Sequence, residues 1–200
     1  MGFDDISAVI LAAGESRRMG QPKLLMPWGK TTVLGQVIAV FSKAGVTDIV
    51  VVTGGARELV EGLMTGMAGK FPVRVAYNPD YKLGGMLSSI KTGLKVLGAQ
   101  TRAALIALGD QPQVQGVTVR RICTAFMETK APLIIPSFEN QRGHPWLAAN
   151  SMWDEILALP LTTTPRDFLN AHTAQVEYIA TDNSVMQDLD TPEDYSRLQP

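Results

Sequence analysis

Residues 6–23 have the sequence ISAVILAAGESRRMGQPK, and this stretch decides the fold. Residues 6–13 are apolar or small on both faces, which is typical of a strand buried in a parallel sheet. A polar segment with several glycines and prolines occupies residues 14–30. Because a glycine directly after such a strand lets a ligand approach backbone amides closely, we expect a ligand-binding loop there.

The alternation of buried strands and helices continues outward from this stretch. Further strands are predicted at residues 48–53, 73–77 and 103–108. Helices are predicted from Thr31 or Thr32 to Gly45, over residues 56–67, and around Leu87, Ile90, Leu94 and Leu97. Parallel strands need crossover connections, so this order predicts a mostly parallel sheet covered by helices. Such sheets bind ligands at the carboxyl ends of their strands.

The last third of the chain is less regular, and we expect it to elaborate the same domain, which spans residues 1–200. The predicted elements are two strands around a polar turn in 133–149, short helices in 151–172, strands near 175–180 and 185–189, and a helix from Thr191-Pro192. No internal repeat and no linker rich in serine, glycine or proline divides the chain. The sequence therefore predicts one domain.

Composition excludes several classes of function. The 200 residues carry 18 lysines and arginines against 19 acids, so the chain has no overall basic field for nucleic acid. A single cysteine, Cys123, and two histidines make a structural zinc site improbable. No apolar run reaches the ~18 residues that a membrane helix needs. The acidic first residues lack a secretory signal, so we expect a cytoplasmic protein without nucleic-acid or membrane partners.

The loop after the first predicted strand carries the strongest functional signal. Four cations, Arg17, Arg18, Lys23 and Lys30, face one acid, Glu15, within residues 14–30. Backbone donors beside clustered cations suit a polyphosphate, although a solvated surface loop is the alternative. The loop lacks the Gly-x-Gly-x-x-Gly pattern of dinucleotide-binding folds, and Leu24 stands where a P-loop needs glycine.

Two acidic segments are candidates for a metal site. Asp110 lies directly after the strand 103–108, and a carboxylate there, together with phosphate oxygens, is a normal Mg²⁺ arrangement. If residues 185–189 are extended, Asp188 and Asp190 project on one face. The alternatives are an ordinary turn at Asp110-Gln111-Pro112 and a helix cap at Asp190 or Thr191.

Two other segments lie at predicted strand ends. Residues 77–89 offer amide and hydroxyl groups that suit a base edge, and a long loop with a helix cap is the alternative. His144 in Arg142-Gly143-His144-Pro145-Trp146 is either a contact to an acceptor substrate or a histidine in a hairpin. No Gly-x-Ser-x-Gly elbow or nucleophile–base pair is present, which disfavours covalent hydrolase chemistry.

In their order, these segments resemble the molybdenum cofactor cytidylyltransferases, nucleotidyltransferases that act on the molybdenum cofactor. The resemblance rests on five motifs: LAAGESRRMGQPKLLMPWG at 11–29, NPDYKLGGMLSS at 78–89, LGDQP at 108–112, RGHPW at 142–146 and LDTPEDY at 189–195. It implies a three-layer, Rossmann-like α/β fold of the nucleotide-diphosphosugar transferase type. It also implies transfer of CMP from CTP to molybdopterin with Mg²⁺, and an apo-molybdoenzyme as a partner that receives the product.

The resemblance also implies roles for individual residues. The nucleotide would be held by Ala12, Ala13, Gly14, Arg18, Lys23, Asn78, Gly85 and Ser89. Arg18, Lys23 and Asp110 would be catalytic, and Asp110, Asp188 and Asp190 would bind the metal. His144 would face the pterin. Two positions depart from the usual pattern: glycine is doubled at 84–85, and Trp146 stands where a small aliphatic residue is usual. GTP, a sugar or polyol phosphate acceptor, and a non-enzymatic role in cofactor delivery are the alternatives.

Overall fold

A computed structural model describes residues 2–67 and 69–200, and this part of the chain forms ten strands and seven α-helices. The strands are β1 (Phe3–Ala12), β2 (Pro27–Trp28), β3 (Thr31–Thr32), β4 (Val46–Thr53), β5 (Val73–Tyr77), β6 (Ala103–Leu108), β7 (Leu133–Phe138), β8 (Gln141–Arg142), β9 (Trp146–Ala149) and β10 (Val176–Ala180). The helices are α1 (Val33–Ala44), α2 (Arg57–Met67), α3 (Gly85–Lys95), α4 (Gly116–Thr129), α5 (Trp153–Ala158), α6 (Pro165–Ala171) and α7 (Pro192–Leu198).

The central sheet has the strand order β10-β7-β9-β6-β1-β4-β5, with β8 paired to β7. The four strands β6, β1, β4 and β5 are parallel, and β10 is parallel to β7. Only β9 runs against both of its main neighbours within the described residues, β6 and β7. The predicted mostly parallel sheet is confirmed, and β1 lies inside it between β6 and β4.

Helices cover both faces of the sheet and make three layers. Helices α1, α2 and α4 bury their apolar sides in one core, and α3, α5 and α6 bury theirs in the other. Helix α1 shows how local sequence sets an element, because the Thr32 side chain accepts a hydrogen bond from the Gly35 amide at its start. Gly45, at φ 104°, ends it. Cys123 is buried in the first core.

Most predicted elements are present with small shifts at their ends. Strand β1 begins three residues before the predicted Ile6, and the short strand β2 at the end of the loop 14–30 pairs with β3 directly after it. Two short 3₁₀ turns, Arg17–Met19 and Lys23–Leu25, also lie in that loop. Across the described residues, no helix combines the length and the apolar character that crossing a bilayer requires.

The predicted strand at 185–189 is wrong. A 3₁₀ turn covers Asn183–Met186, and residues 187–191 have no regular structure. The Asp182 side chain accepts from the Ser184 amide at 2.9 Å and starts the turn. The carbonyl of Val185 accepts from the His144 amide at 3.0 Å, and the Leu189 amide donates to the Asp110 carbonyl at 3.2 Å. These contacts with two loops replace pairing with a strand.

Close approach of three chain segments defines the carboxyl end of β1. The Gly55 amide donates to the Ala13 carbonyl at 3.1 Å, and the Gly109 amide donates to the Leu11 carbonyl at 3.0 Å. A Cβ on Gly54 would lie 2.6 Å from the Ala13 carbonyl oxygen, which real side chains do not tolerate. Glycine at position 54 therefore allows the first loop to begin where it does.

A matched pair of glycine substitutions tests this packing. Gly54→Ala is expected to lower the free energy of unfolding by roughly 1–3 kcal/mol, because its methyl group meets backbone that cannot move aside. Gly62→Ala, on an exposed turn of α2 with nothing within 4 Å of the new Cβ, is expected to raise it by about 0.5–1 kcal/mol. Urea unfolding measures both, and equal effects of the two changes would contradict the close approach.

Candidate functional site

The first loop folds back over the carboxyl ends of β1 and β6. Ser16 adopts a left-handed conformation at φ 53°, and its Oγ accepts a hydrogen bond from the Lys23 amide at 3.2 Å. Gly20, at φ 67°, turns the chain again after the first 3₁₀ turn. The loop thus closes on itself, and the Lys23 side chain reaches the end of β6. Ser16 was not among the predicted site residues, although it lies inside the first motif.

Lys23 forms the central ion pair of this edge. Its Nζ lies 2.5 Å from Asp110 Oδ2 and 3.2 Å from Asp190 Oδ1, and its side chain is 14% exposed. Partial burial alone would lower the pKa of Lys23, but the charges and hydrogen bonds of Asp110 and Asp190 outweigh it and raise that pKa above 10.5. Lys23 is therefore a fixed cation that joins the first loop, the end of β6 and the C-terminal segment.

The other cations of the first loop are more exposed. Arg18 lies 2.8 Å from Asp190 with a side chain that is 70% exposed. Arg17 pairs with Glu15 at 2.6 Å, and Lys82 approaches the same carboxylate at 3.8 Å. Such exposed pairs contribute little to stability and rearrange readily. The positive loop predicted from the sequence is thus partly neutralised by neighbouring acids.

Asp188 completes the acidic group at this edge. Gln111 Nε2 donates to Asp188 Oδ1 at 2.6 Å. Asp188 as a whole is exposed, but its carboxyl lies against protein atoms. The pKa of Asp188 is raised, first because this burial disfavours the charged form and second because Asp110 is also negative. Gln111 is buried, and its Oε1 has no hydrogen-bond partner among the described residues. The role of Gln111 in holding Asp188 was not predicted.

These groups surround a small pocket of about 190 Å³. Its walls include six of the predicted site residues: Ala12, Gly14, Arg18, Lys23, Asp110 and Asp190. Ala13 is buried beside it, where its carbonyl is held by Gly55. The structure thus brings the first loop, the end of β6 and the C-terminal segment together, as the motifs predicted. Strand alternation does not place Asp188 and Asp190, because the predicted strand is absent. Asp190 lines the pocket, whereas Asp188 is not among its lining residues and lies beside Gln111 and Asp110.

Asn78 and Ser89 lie outside this pocket. Asn78 Nδ2 donates to Ser88 Oγ at 2.8 Å and to Ser89 Oγ at 3.0 Å, and Asn78 Oδ1 accepts from the Asp80 amide at 2.9 Å. The side chains of Asn78, Ser88 and Ser89 are all buried. In this structure their polar groups hold the start of α3 against the end of β5, so contact with a nucleotide stays a prediction.

A second, larger cavity of about 1240 Å³ lies between the start of α3, the β8–β9 region and α6. Gly85 and His144 line it, so the structure separates them from the small pocket. Its apolar walls are Leu83, Met86, Leu87, Trp146, Leu161, Leu169 and Met186. Residues 162–164, Arg142 and Arg166 also line it, and only Arg142 among these lay in one of the five motifs.

His144 is an uncharged group in this cavity. It is half-buried, and burial lowers its pKa to about 4. The His144 backbone amide is bound to the Val185 carbonyl, which connects the wall of the larger cavity to the segment that carries Asp188. At neutral pH His144 is therefore able to offer a hydrogen bond but not a positive charge.

The acidic group has a donor set that fits a divalent cation. No three histidine, cysteine or acidic side chains in residues 2–67 and 69–200 are grouped closely enough to hold a metal by themselves. Mg²⁺ usually takes only one or two carboxylates and completes its shell with water and substrate phosphates. Oxygens of Asp110 and Asp190 already converge on one positive centre, the Lys23 ammonium. The negative charge of the Asp188 carboxylate is disfavoured by burial and by the neighbouring charge of Asp110, so a cation would stabilise it. The residues present therefore fit Mg²⁺ bound together with a nucleotide.

Comparison with known proteins gives a consistent result. The sequence profile of the MobA-like NTP transferase domain matches residues 8–176. The chain is 28% identical over 194 residues to the molybdenum cofactor cytidylyltransferase of Escherichia coli, covering 95% of this chain and 93% of that protein. It is 29% identical over 147 residues to the molybdenum cofactor guanylyltransferase of Mesorhizobium japonicum, covering 72% and 66% respectively.

Among solved structures, Rv0371c from Mycobacterium tuberculosis is similar over the whole fold. Its crystal structure has a TM-score of 0.82 and 30% identity, covering 98% of this chain and 97% of that chain. A second structure of Rv0371c, a complex with manganese, has a TM-score of 0.76 and 28% identity, with 98% of both chains covered. Both structures of Rv0371c cover almost the whole chain, whereas the family profile ends before Asp188 and Asp190.

The pKa of His144 gives a prediction about stability. The unfolded chain takes up a proton on His144 near pH 6.5, whereas the folded chain takes it up only near pH 4. Stability therefore falls as pH drops from about 6.5 to 4, and this histidine contributes roughly 1–3 kcal/mol of the fall. His144→Gln is expected to remove that part of the pH dependence in urea unfolding between pH 7.5 and 4.5, and His172→Gln to retain it. Equal pH dependence in wild type and His144→Gln would contradict the assignment.

Proposed function

The chain belongs to the MobA-like NTP transferase family, and on this premise we propose that it transfers CMP from CTP to the phosphate of molybdopterin and releases pyrophosphate. The observation that carries the proposal is the convergence of Lys23, Arg18, Asp110 and Asp190 on one pocket at the carboxyl edge of the sheet. The sequence similarity to a molybdenum cofactor cytidylyltransferase over 95% of the chain supports the choice of substrates.

The small pocket suits the phosphates of the nucleotide. A triphosphate needs several positive partners at once, and Lys23 and Arg18 both line this pocket. The exposed Arg18 is able to leave Asp190 for a phosphate at little cost, because its pair is largely solvated. Lys23 is held more firmly, and its position between two carboxylates keeps the first loop in place before a nucleotide binds.

The proposed reaction needs positioning more than a protein nucleophile. A phosphate oxygen of the acceptor attacks the α-phosphorus of CTP, the bond to the bridging oxygen breaks, and pyrophosphate leaves with that oxygen. Lys23 and Arg18 would stabilise the negative charge that develops on the phosphate oxygens. This accounts for a site with cations and carboxylates but without a serine, histidine and aspartate triad.

Asp110, Asp188 and Asp190 are the residues that would hold Mg²⁺. When bound with the nucleotide, the ion would polarise the α-phosphate and neutralise charge on the phosphate oxygens. The manganese complex of Rv0371c supports a divalent cation in a protein of this fold. Gln111 would keep the Asp188 carboxylate oriented toward Asp110 through its 2.6 Å hydrogen bond.

The larger cavity suits the acceptor. Its volume of about 1240 Å³ leaves room for a molecule of several rings, and its walls are largely apolar. His144 lies on this wall and is neutral at pH 7. It would hydrogen-bond the acceptor, and without a positive charge it would not draw the acceptor phosphate away from Lys23 and Arg18. The bulky Trp146, also in the wall, would narrow the cavity relative to a small aliphatic residue. Delivery of the product to an apo-molybdoenzyme is the downstream step that this proposal entails.

A nucleotide screen tests the choice of substrate. Pyrophosphate release is measured with CTP, GTP, ATP and UTP in the presence of Mg²⁺, each with and without molybdopterin. We expect release with CTP only when molybdopterin is present. Because the chain is also 29% identical to a guanylyltransferase, release with GTP instead would replace CTP in the proposal. Release with a sugar phosphate but not with molybdopterin would overturn the acceptor.

Substitutions test the site itself. Lys23→Ala and Asp110→Asn are each expected to lower kcat by about 10²–10³, comparable to the loss of one group that stabilises transition-state charge. Arg120→Gln, an exposed cation on α4, is the matched control and is expected to keep wild-type turnover. Circular dichroism checks that each variant is folded. Near-normal turnover in Lys23→Ala and Asp110→Asn would remove this site from the reaction.

A further inference from the structure

The larger cavity carries an unbalanced positive charge. Its charged lining residues are Arg142 and Arg166, and no aspartate or glutamate lines it within the described residues. This contrasts with the whole chain, whose net charge is −1. A concave apolar site with two cations favours an anionic ligand, because the charge is partly shielded from water there.

Arg142 is held in position without losing its charge to an acid. Its Nε donates to Tyr178 Oη at 2.9 Å, and its Nη1 donates to Asn170 Oδ1 at 2.8 Å. Both acceptors are neutral. Of the five N–H donors of the guanidinium, three have no protein acceptor in the described part of the chain. Arg142 is thus oriented by β10 and α6, and most of its donors remain for a ligand.

Other arginines of this chain are paired differently. Six of them lie within 4 Å of a carboxylate: Arg17, Arg18, Arg57, Arg74, Arg102 and Arg197. Arg142 has no such partner in residues 2–67 and 69–200, although it is one of the less exposed arginines. A cation that the fold orients but leaves uncompensated inside a cavity is suited to receive an anion.

The side of the cavity at His144 is connected to the acidic group through Val185 and Gln111. The Val185 carbonyl accepts from the His144 amide at 3.0 Å and lies 3.5 Å from Gln111 Nε2, which also holds Asp188. Arg142 lies on β8, with Tyr178 of the edge strand β10 and Asn170 of α6 beside it. Exposed apolar side chains, Leu83 at 79% and Leu161 at 39%, border the cavity between α3 and α6.

We propose that Arg142, assisted by Arg166, binds an acidic group of the acceptor other than the phosphate that reacts. The acceptor class is then a partly apolar molecule that carries a second anionic group. The identity of the ligand as the acceptor rests on the proposed function, but the anion site rests only on the cavity, its two arginines and the contacts of Arg142.

A pair of fluorescent probes tests the anion site without nucleotide. The probes are 1-anilinonaphthalene-8-sulfonate, which carries one negative charge, and N-phenyl-1-naphthylamine, its uncharged counterpart. Arg142→Gln is expected to weaken binding of the sulfonate about tenfold, the usual effect of losing hydrogen bonds to a charged group, and to leave the neutral probe unchanged. Binding of the sulfonate to wild type is also expected to weaken with added salt.

Controls separate this effect from a general change in the protein. Arg120→Gln removes a cation from α4, in the other helix layer, and is expected to bind both probes like wild type. Arg166→Gln, on the exposed side of α6, is expected to weaken binding of the sulfonate probe by a few-fold. This variant tests the cavity even if Arg142→Gln does not fold. Equal loss of both probes, or equal sulfonate binding in wild type, Arg142→Gln and Arg166→Gln, would overturn the proposal.

Steady-state kinetics distinguish this proposal from the proposed function. In the transfer reaction, Arg142→Gln is expected to raise the KM for molybdopterin about tenfold and to leave kcat and the KM for CTP unchanged. Wild-type transfer with an unchanged KM in Arg142→Gln would overturn the acceptor contact and leave the transferase function intact. Failure of wild-type transfer, with the probe difference retained, would overturn the function and support the anion site.

Discussion

The contact of the Lys23 ammonium with Asp110 and Asp190 is the interaction on which this site depends. It joins three segments that are far apart in sequence: the loop after β1, the end of β6 and the residues before α7. Because Lys23 is largely buried, the pair is screened less by water and salt than the arginine pairs around it. The same contact gathers carboxylate oxygens around one point before any nucleotide arrives.

The two cavities divide recognition by polarity. The smaller one is lined by backbone of the first loop, two cations and two carboxylates, which suits phosphates and a hard cation. The larger one is mostly apolar and carries its charge only at arginines, which suits a bulky partner. The segment between Val185 and Asp190 links them, since its backbone is bound by His144 on one side and by Asp110 on the other. The two cavities are thus connected through a segment that contains neither an α-helix nor a strand.

Features set by local patterns could be predicted from the sequence, whereas features set by long-range contacts could not. Buried strands such as Ala103–Leu108 are recognisable because both faces are apolar, and Asp110 is found from its place after one of them. The residues near 185 are apolar enough to resemble a strand, but they are held by His144, Gln113 and Asp110 from distant loops. Gln111 stood inside one of the five motifs, yet its role depends on where Asp188 lies, which no local pattern encodes.

The reversed strand β9 has a consequence for how such a fold diversifies. The chain leaves through β7, turns at β8 and returns beside β6, so much of the wall around the larger cavity comes from one short excursion. The ladder of β6, β1, β4 and β5 does not depend on the length or side chains of that excursion. The wall of the larger cavity is therefore able to change through this hairpin while the ladder that carries the small pocket stays constant.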